Sequence, residues 1–87
     1  MILHIIQSSE GFRRGLALFA EDDTLALLGE AVTLLNHPTT LDCLGRSVYA
    51  LATELEEFSI APHSGIKAID YSVLIDLCEQ HSHCLSW

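Results

Sequence analysis

The chain has 87 residues, 49% of them apolar and 18% charged. Its 12 acidic side chains against 4 basic ones leave a net charge of −8. That excludes a grip on nucleic-acid backbone by this chain alone, since such affinity comes from cations displacing counterions. The chain is too apolar to be disordered. Its unbroken apolar runs are too short to span a bilayer, and its length predicts one domain over residues 1–87. The opening Met1–Ile6 has no basic region and no small-residue cleavage site, so a cytoplasmic location is expected. The cysteines are Cys43, Cys78 and Cys84. An odd number of them, with no Cys-x-x-Cys, does not suggest a disulfide framework.

Ile2 to Ile6 is apolar and β-branched, broken by His4, and predicts a buried strand. Ser8 and Ser9 follow as ready helix caps. Phe12, Leu16, Phe19 and Ala20 then share one helical face. Glu21, Asp22 and Asp23 suit a helix C-terminus poorly and are expected to form the turn. Thr24 to Leu28 is continuous and apolar, as a parallel strand covered on both faces should be. Glu30 to Leu35 predicts a short helix with Ala31, Leu34 and Leu35 on one side. Asn36 to Thr40 breaks it, and one more helical turn is expected over Leu41 to Gly45. Ser47 to Leu51 is the third strand. Thr53 and Glu56 have capping-box spacing for a helix beginning there. Ser59 to Gly65 is loop, and Ile66 to Ile69 is the fourth strand. Asp70 caps a helix whose Tyr71, Leu74, Ile75 and Cys78 make a stripe at helical spacing. The last seven residues predict a mobile tail.

This alternation predicts an α/β fold: a three-layer sandwich with a mainly parallel sheet of about four strands and helices on both faces. The chain lacks a Gly-x-Gly-x-x-Gly, a Walker loop and a Gly-x-Ser-x-Gly. Cys78, His81, His83 and Cys84 are all of zinc-ligand type, but no spaced pair matches a known finger. No metal or other cofactor is therefore expected. Cys43 lies in a turn-rich segment with Arg46 three residues on, and is a candidate sulfur carrier, since a nearby cation favours the thiolate. Against that stands the commoner reading of a half-buried cysteine. Glu54, Glu56 and Glu57 read as a solvated helix face, or as a docking surface for a basic partner. His4, on an apolar strand with no base or nucleophile to pair with, reads as a satisfied core residue.

Several stretches together resemble the DsrH/TusB proteins. They are Met1–Ile6 with Ser8 and Ser9; Leu25–Leu28 with Ala31 and Val32; and Val48–Leu51 with Glu54 and Leu55. Ile69–Tyr71 follows, with Leu74, Asp76, Leu77, His81, Ser86 and Trp87. The likeness runs over nearly the whole chain. It implies a DsrE/F-like fold and a small subunit of a sulfur-relay complex. Its implied partners are two related DsrE/F-like subunits, TusC- and TusD-like, in a dimer of heterotrimers, and a downstream sulfur acceptor protein. Such a complex passes persulfide sulfur toward 2-thiolation of the tRNA wobble uridine, without direct nucleic-acid or membrane contact by this chain.

The family's catalytic subunit carries its cysteine just after the third strand. Here that place is Leu51-Ala52, and leucine holds no persulfide. The resemblance thus implies a non-catalytic subunit, not an enzyme, with Leu51, Tyr71 and Trp87 as candidate partner interface. Removing residues 81–87 is then expected mainly to weaken assembly. Some DsrH members also carry a cysteine in the first helix, near Gly15 here. Its absence favours the tRNA relay over a sulfur-oxidation DsrEFH-type subunit. The remaining alternatives are a thiol sulfur carrier working through Cys43 and a metal-binding module using the C-terminal cluster of Cys78, His81, His83 and Cys84. The chain departs from the family's loops in two readable places: Gly29-Glu30-Ala31 stands where an acidic-Gly turn is usual, and Phe58-Ser59 where an Arg-Gly closes the third helix.

Overall fold

The computed structural model describes residues 2–36, 47–61 and 66–87. Strand β1 (Ile2–Ile6) leads into helix α1 (Ser9–Gly15) and a 3₁₀ turn (Leu16–Leu18). Strand β2 (Thr24–Leu27) leads into a 3₁₀ helix (Gly29–Asn36), and β3 (Ser47–Leu51) into α2 (Ala52–Glu57). Strand β4 (Ile66–Ile69), helix α3 (Tyr71–Gln80) and strand β5 (His83–Ser86) complete the chain. All strand pairs are parallel, in the spatial order β4-β3-β2-β1-β5. The expected three-layer α/β sandwich is therefore present, with five strands instead of about four.

The fifth strand replaces the expected mobile tail. His83 to Ser86 pair with Ile2 to Ile5, so the end of the chain forms the sheet edge beside β1. The first four strands step one way across the sheet, and α3 then carries the chain back to the opposite edge. One face is covered by three elements: Phe12 of α1, Ala31, Val32 and Leu35 of the 3₁₀ helix, and Leu55 of α2 pack on Ile6, Leu25, Leu27, Val48 and Ala50. Among the described residues the other face is covered by α3 alone, through Leu74 and Leu77 on Leu3, Ala26, Leu51 and Ile69. Strand β2 lies in the middle and is buried throughout, as a strand covered on both faces must be.

The helices differ from expectation in ways their geometry explains. α1 ends at Gly15, and Leu16, expected on its buried face, is exposed. The segment after β2 is a 3₁₀ helix, in which residues three apart eclipse. Val32 and Leu35 therefore form the buried column, while Leu34 is only partly buried. The capping box does not form. α2 begins at Ala52 with Leu51 in the cap position and no side-chain cap bond, and the Thr53 hydroxyl instead bonds the neighbouring Glu54 carboxylate. In α3 the buried residues are Leu74 and Leu77, while Tyr71 and Ile75 of the expected stripe are each 58% exposed. Two expected caps are in place: the Ser8 hydroxyl accepts from Gly11 N–H at 2.9 Å, and Asp70 Oδ1 accepts from Val73 N–H at 2.9 Å. The expected helical turn over residues 41–45 lies outside the described residues.

Candidate functional site

The loops that follow β1, β2 and β3 gather at the C-terminal edge of the sheet, where parallel α/β folds place their sites. Two carboxylates tie them together. Glu30 Oε1 accepts from Ser9 N–H at 3.1 Å and from the Ser9 hydroxyl at 2.8 Å. These bonds from Ser9, the backbone one first, hold the Glu30 carboxyl below its ordinary range. Glu54 Oε1 accepts from Gly29 N–H at 3.2 Å, at a turn where Gly29 has φ +53°, a conformation that disfavours any Cβ. Glu54 is thus a structural tie, while Glu56 and Glu57 are exposed as a solvated face would be.

Leu51 sits in the same region, at the β3–α2 junction. Its side chain is 1% exposed and packs in the α3-side core. The expected strand-to-helix turn after the third strand is present, and Leu51, buried within the chain, stands at its start.

On the opposite half of the sheet three residues far apart in sequence converge. His4 is wholly buried, and its Nε2 lies 2.7 Å from Asp23 Oδ2. The indole Nε1–H of Trp87 donates to His4 Nδ1 at 3.1 Å. An indole can only donate, so Nδ1 must be the accepting nitrogen. Nε2–H then donates to the carboxylate. Asp23 is 3% exposed and also accepts from Ile2 N–H and Ala20 N–H, each at 3.0 Å. Burial would push its carboxyl up. The bonds from Ala20, His4 and Ile2 outweigh that and bring it down to about 2. Asp23 was expected only as a turn former. It is the partner that His4 lacked in the sequence reading.

Aspartate orienting histidine is the arrangement that activates nucleophiles. Here the second ring nitrogen is covered by the indole and the imidazole has no exposed surface, so the pair is closed off. The trio is a lock. His4 also packs against the rings of Phe19, at 4.6 Å, and Trp87, at 6.2 Å. The Trp87 backbone is tied on both sides, its N–H to Ile5 O at 2.8 Å and its O to Gln7 N–H at 3.1 Å. Helix α1 passes so close that a Cβ on Gly11 would stand 2.6 Å from the Trp87 carbonyl carbon, and one on Gly15 2.8 Å from the indole ring. The space beside Gly15 is thus filled by Trp87.

The other candidate residues are scattered. Cys43 lies outside the described residues, as does Arg46. Tyr71 is exposed on α3. His81 turns inward: its Nδ1–H donates to Leu77 O at 2.7 Å, which leaves Nε2 to accept from the Thr24 hydroxyl at 3.0 Å. His83 is exposed on β5. The Cys84 thiol points at the Cys78 carbonyl, 3.8 Å away. Among the described residues no three such side chains are grouped to hold a metal ion. No described helix is long and apolar enough to cross a membrane.

Comparison with known proteins places this fold. The family model described as DsrH like protein matches residues 7–84. The chain belongs to the DsrH-like family. No curated protein matches it by sequence. Among solved structures, that of the YchN protein from E. coli superposes with a TM-score of 0.72 at 15% identity, over 100% of this chain and 99% of YchN. At that identity the likeness is one of fold. The family match runs from the loop after β1 into β5, and so takes in the β3–α2 junction and both carboxylate ties. DsrH-like membership gives the chain a sulfur-relay-related role.

Proposed function

We propose that this DsrH-like chain is a non-catalytic subunit of a heteromeric sulfur-relay complex that passes persulfide sulfur toward 2-thiolation of the tRNA wobble uridine. One observation carries the reading. At the β3–α2 junction, the family's place for a sulfur-carrying cysteine, the chain has a leucine that is 1% exposed and built into its core. A second supports it: the only histidine–carboxylate pair among the described residues is shut off by Trp87. What is left for this chain is shape. It completes an assembly with related DsrE/F-like subunits, TusC- and TusD-like, whose chemistry lies elsewhere.

The test is native mass spectrometry of the chain alone and of the chain coexpressed with its genomic neighbours. A mixed assembly containing a related subunit with a cysteine after its third strand is expected. A chain that stays alone, and that turns over persulfide when purified, overturns the reading. Leu51→Ala should remove about 2–5 kcal/mol of stability through the cavity it leaves, while the isolated chain has no transfer activity for it to change. A Cys43→Ser variant that abolished relay in the full complex would move the sulfur-carrying role to this chain.

A further inference from the structure

Two of the three cysteines stand side by side for a reason the fold makes plain. Cys78 lies in the last turns of α3, and Cys84 in β5. The chain reverses between them over a few residues, which brings the Cys84 thiol against the carbonyl of Cys78. The two side chains differ in access: Cys78 is half-buried and Cys84 exposed, and both are free thiols. Cys84 lies on the outermost strand, in register with Leu3 of β1, and its side chain is exposed.

We propose that Cys78 and Cys84 form a reversible dithiol–disulfide site that reacts with low-molecular-weight disulfides of the glutathione class. Cys84, as thiolate, attacks one sulfur of the small disulfide. A Cys84–S–S–R bond forms, the original S–S bond breaks, and one RS⁻ leaves and takes up a proton. Cys78, as thiolate, then attacks the Cys84 sulfur and displaces the second RS⁻. The two protein thiols lose two protons and two electrons in all, and the small disulfide is reduced to two thiols. The order follows from access, because only the outer sulfur can be reached first. The product bond staples β5 to the end of α3, and so braces the strand that carries Trp87.

The inner thiol sets the pace. Burial, then the hydrogen bond with Cys84, then the charges of Cys84 and Glu79 push the Cys78 thiol above its ordinary range. Once Cys84 holds the mixed disulfide its own charge and thiol are gone, but burial still keeps the Cys78 thiolate scarce near neutrality, so closure of the bond should accelerate as pH rises.

The site does not depend on the relay reading, since it is assayed on the chain alone. The probe is oxidised glutathione, applied to the Cys43→Ser chain and, in parallel, to the unaltered chain with peptide mapping. Intact mass should show a transient glutathionyl adduct, then loss of two hydrogens with a Cys78–Cys84 linked peptide. Cys78→Ser should trap the adduct on Cys84, and Cys84→Ser should slow reaction at least tenfold. Circular dichroism checks that each variant is folded. A lasting adduct on Cys84 beside a free Cys78, reaction at Cys78 undiminished in Cys84→Ser, or no reaction with folded protein each overturns the proposal.

Discussion

Asp23 is the residue on which acid stability should turn. Its carboxyl sits at about 2 in the fold against an ordinary 3.8, so the folded state binds the proton more weakly than the unfolded one does. Such a group stabilises the fold fully above its unfolded value, and loses that contribution as pH falls toward the folded value. The difference amounts to at most about 2 kcal/mol. The urea midpoint should therefore fall between roughly pH 4 and pH 2 more steeply in the native chain than in Asp23→Asn. The variant should start lower near neutrality, by about 1–3 kcal/mol for the disturbed buried bonds, and the two curves should converge in acid. Parallel curves would show that Asp23 is not the titrating tie. Only part of this trio was legible in the sequence. His4 on an apolar strand read correctly as core. Its partners lie 19 and 83 residues away, separations at which periodicity carries no signal.

At the scale of elements, each strand from β1 to β4 was readable, because burial on a pleated sheet writes itself as short β-branched or continuous apolar runs. The short helices were less so, since tertiary contacts decide their ends. The C-terminus of α2 shows this best. Ser59 N–H bonds Glu56 O at 3.1 Å and Ile60 N–H bonds Leu55 O at 2.8 Å, which is the Schellman closure. It requires a left-handed residue, and Ser59 has φ 54°. Phe58-Ser59 thus makes with a serine the turn for which glycine is the usual residue. A serine there bears a cost that glycine escapes, of roughly 1–2 kcal/mol less the chain entropy glycine adds. Ser59→Gly should accordingly raise the midpoint of thermal unfolding, by a few degrees in a domain this small. A lower midpoint would show that the serine hydroxyl matters more than the backbone does.

For the whole molecule, the return of the chain to the far edge of the sheet decides what its last residues do. The sequence predicts a tail here, and the structure shows the side chains of His83 to Ser86 all exposed. Their place comes from backbone pairing with β1, which side-chain pattern does not encode. The consequence reverses the expectation that loss of residues 81–87 mainly weakens assembly. Without β5, the ladder edge of β1 is stripped, His4 Nδ1 loses its donor, and the core beside Phe12 and Phe19 opens where the indole lay. Removing residues 83–87 should therefore abolish cooperative unfolding, or lower the urea midpoint severely, in the isolated chain. Trp87→Phe separates the causes in part, since it keeps an aromatic ring near Gly15 but takes away the N–H and some of the indole's volume. It should cost about 1–3 kcal/mol, the penalty for a buried acceptor left without its bond, and should leave β5 protected in hydrogen exchange. Should the truncated chain unfold with an unchanged midpoint, β5 would be an ornament of the sheet edge. Should Trp87→Phe match the truncation, the indole, through its His4 bond and its packing, would account for nearly all of what the strand contributes.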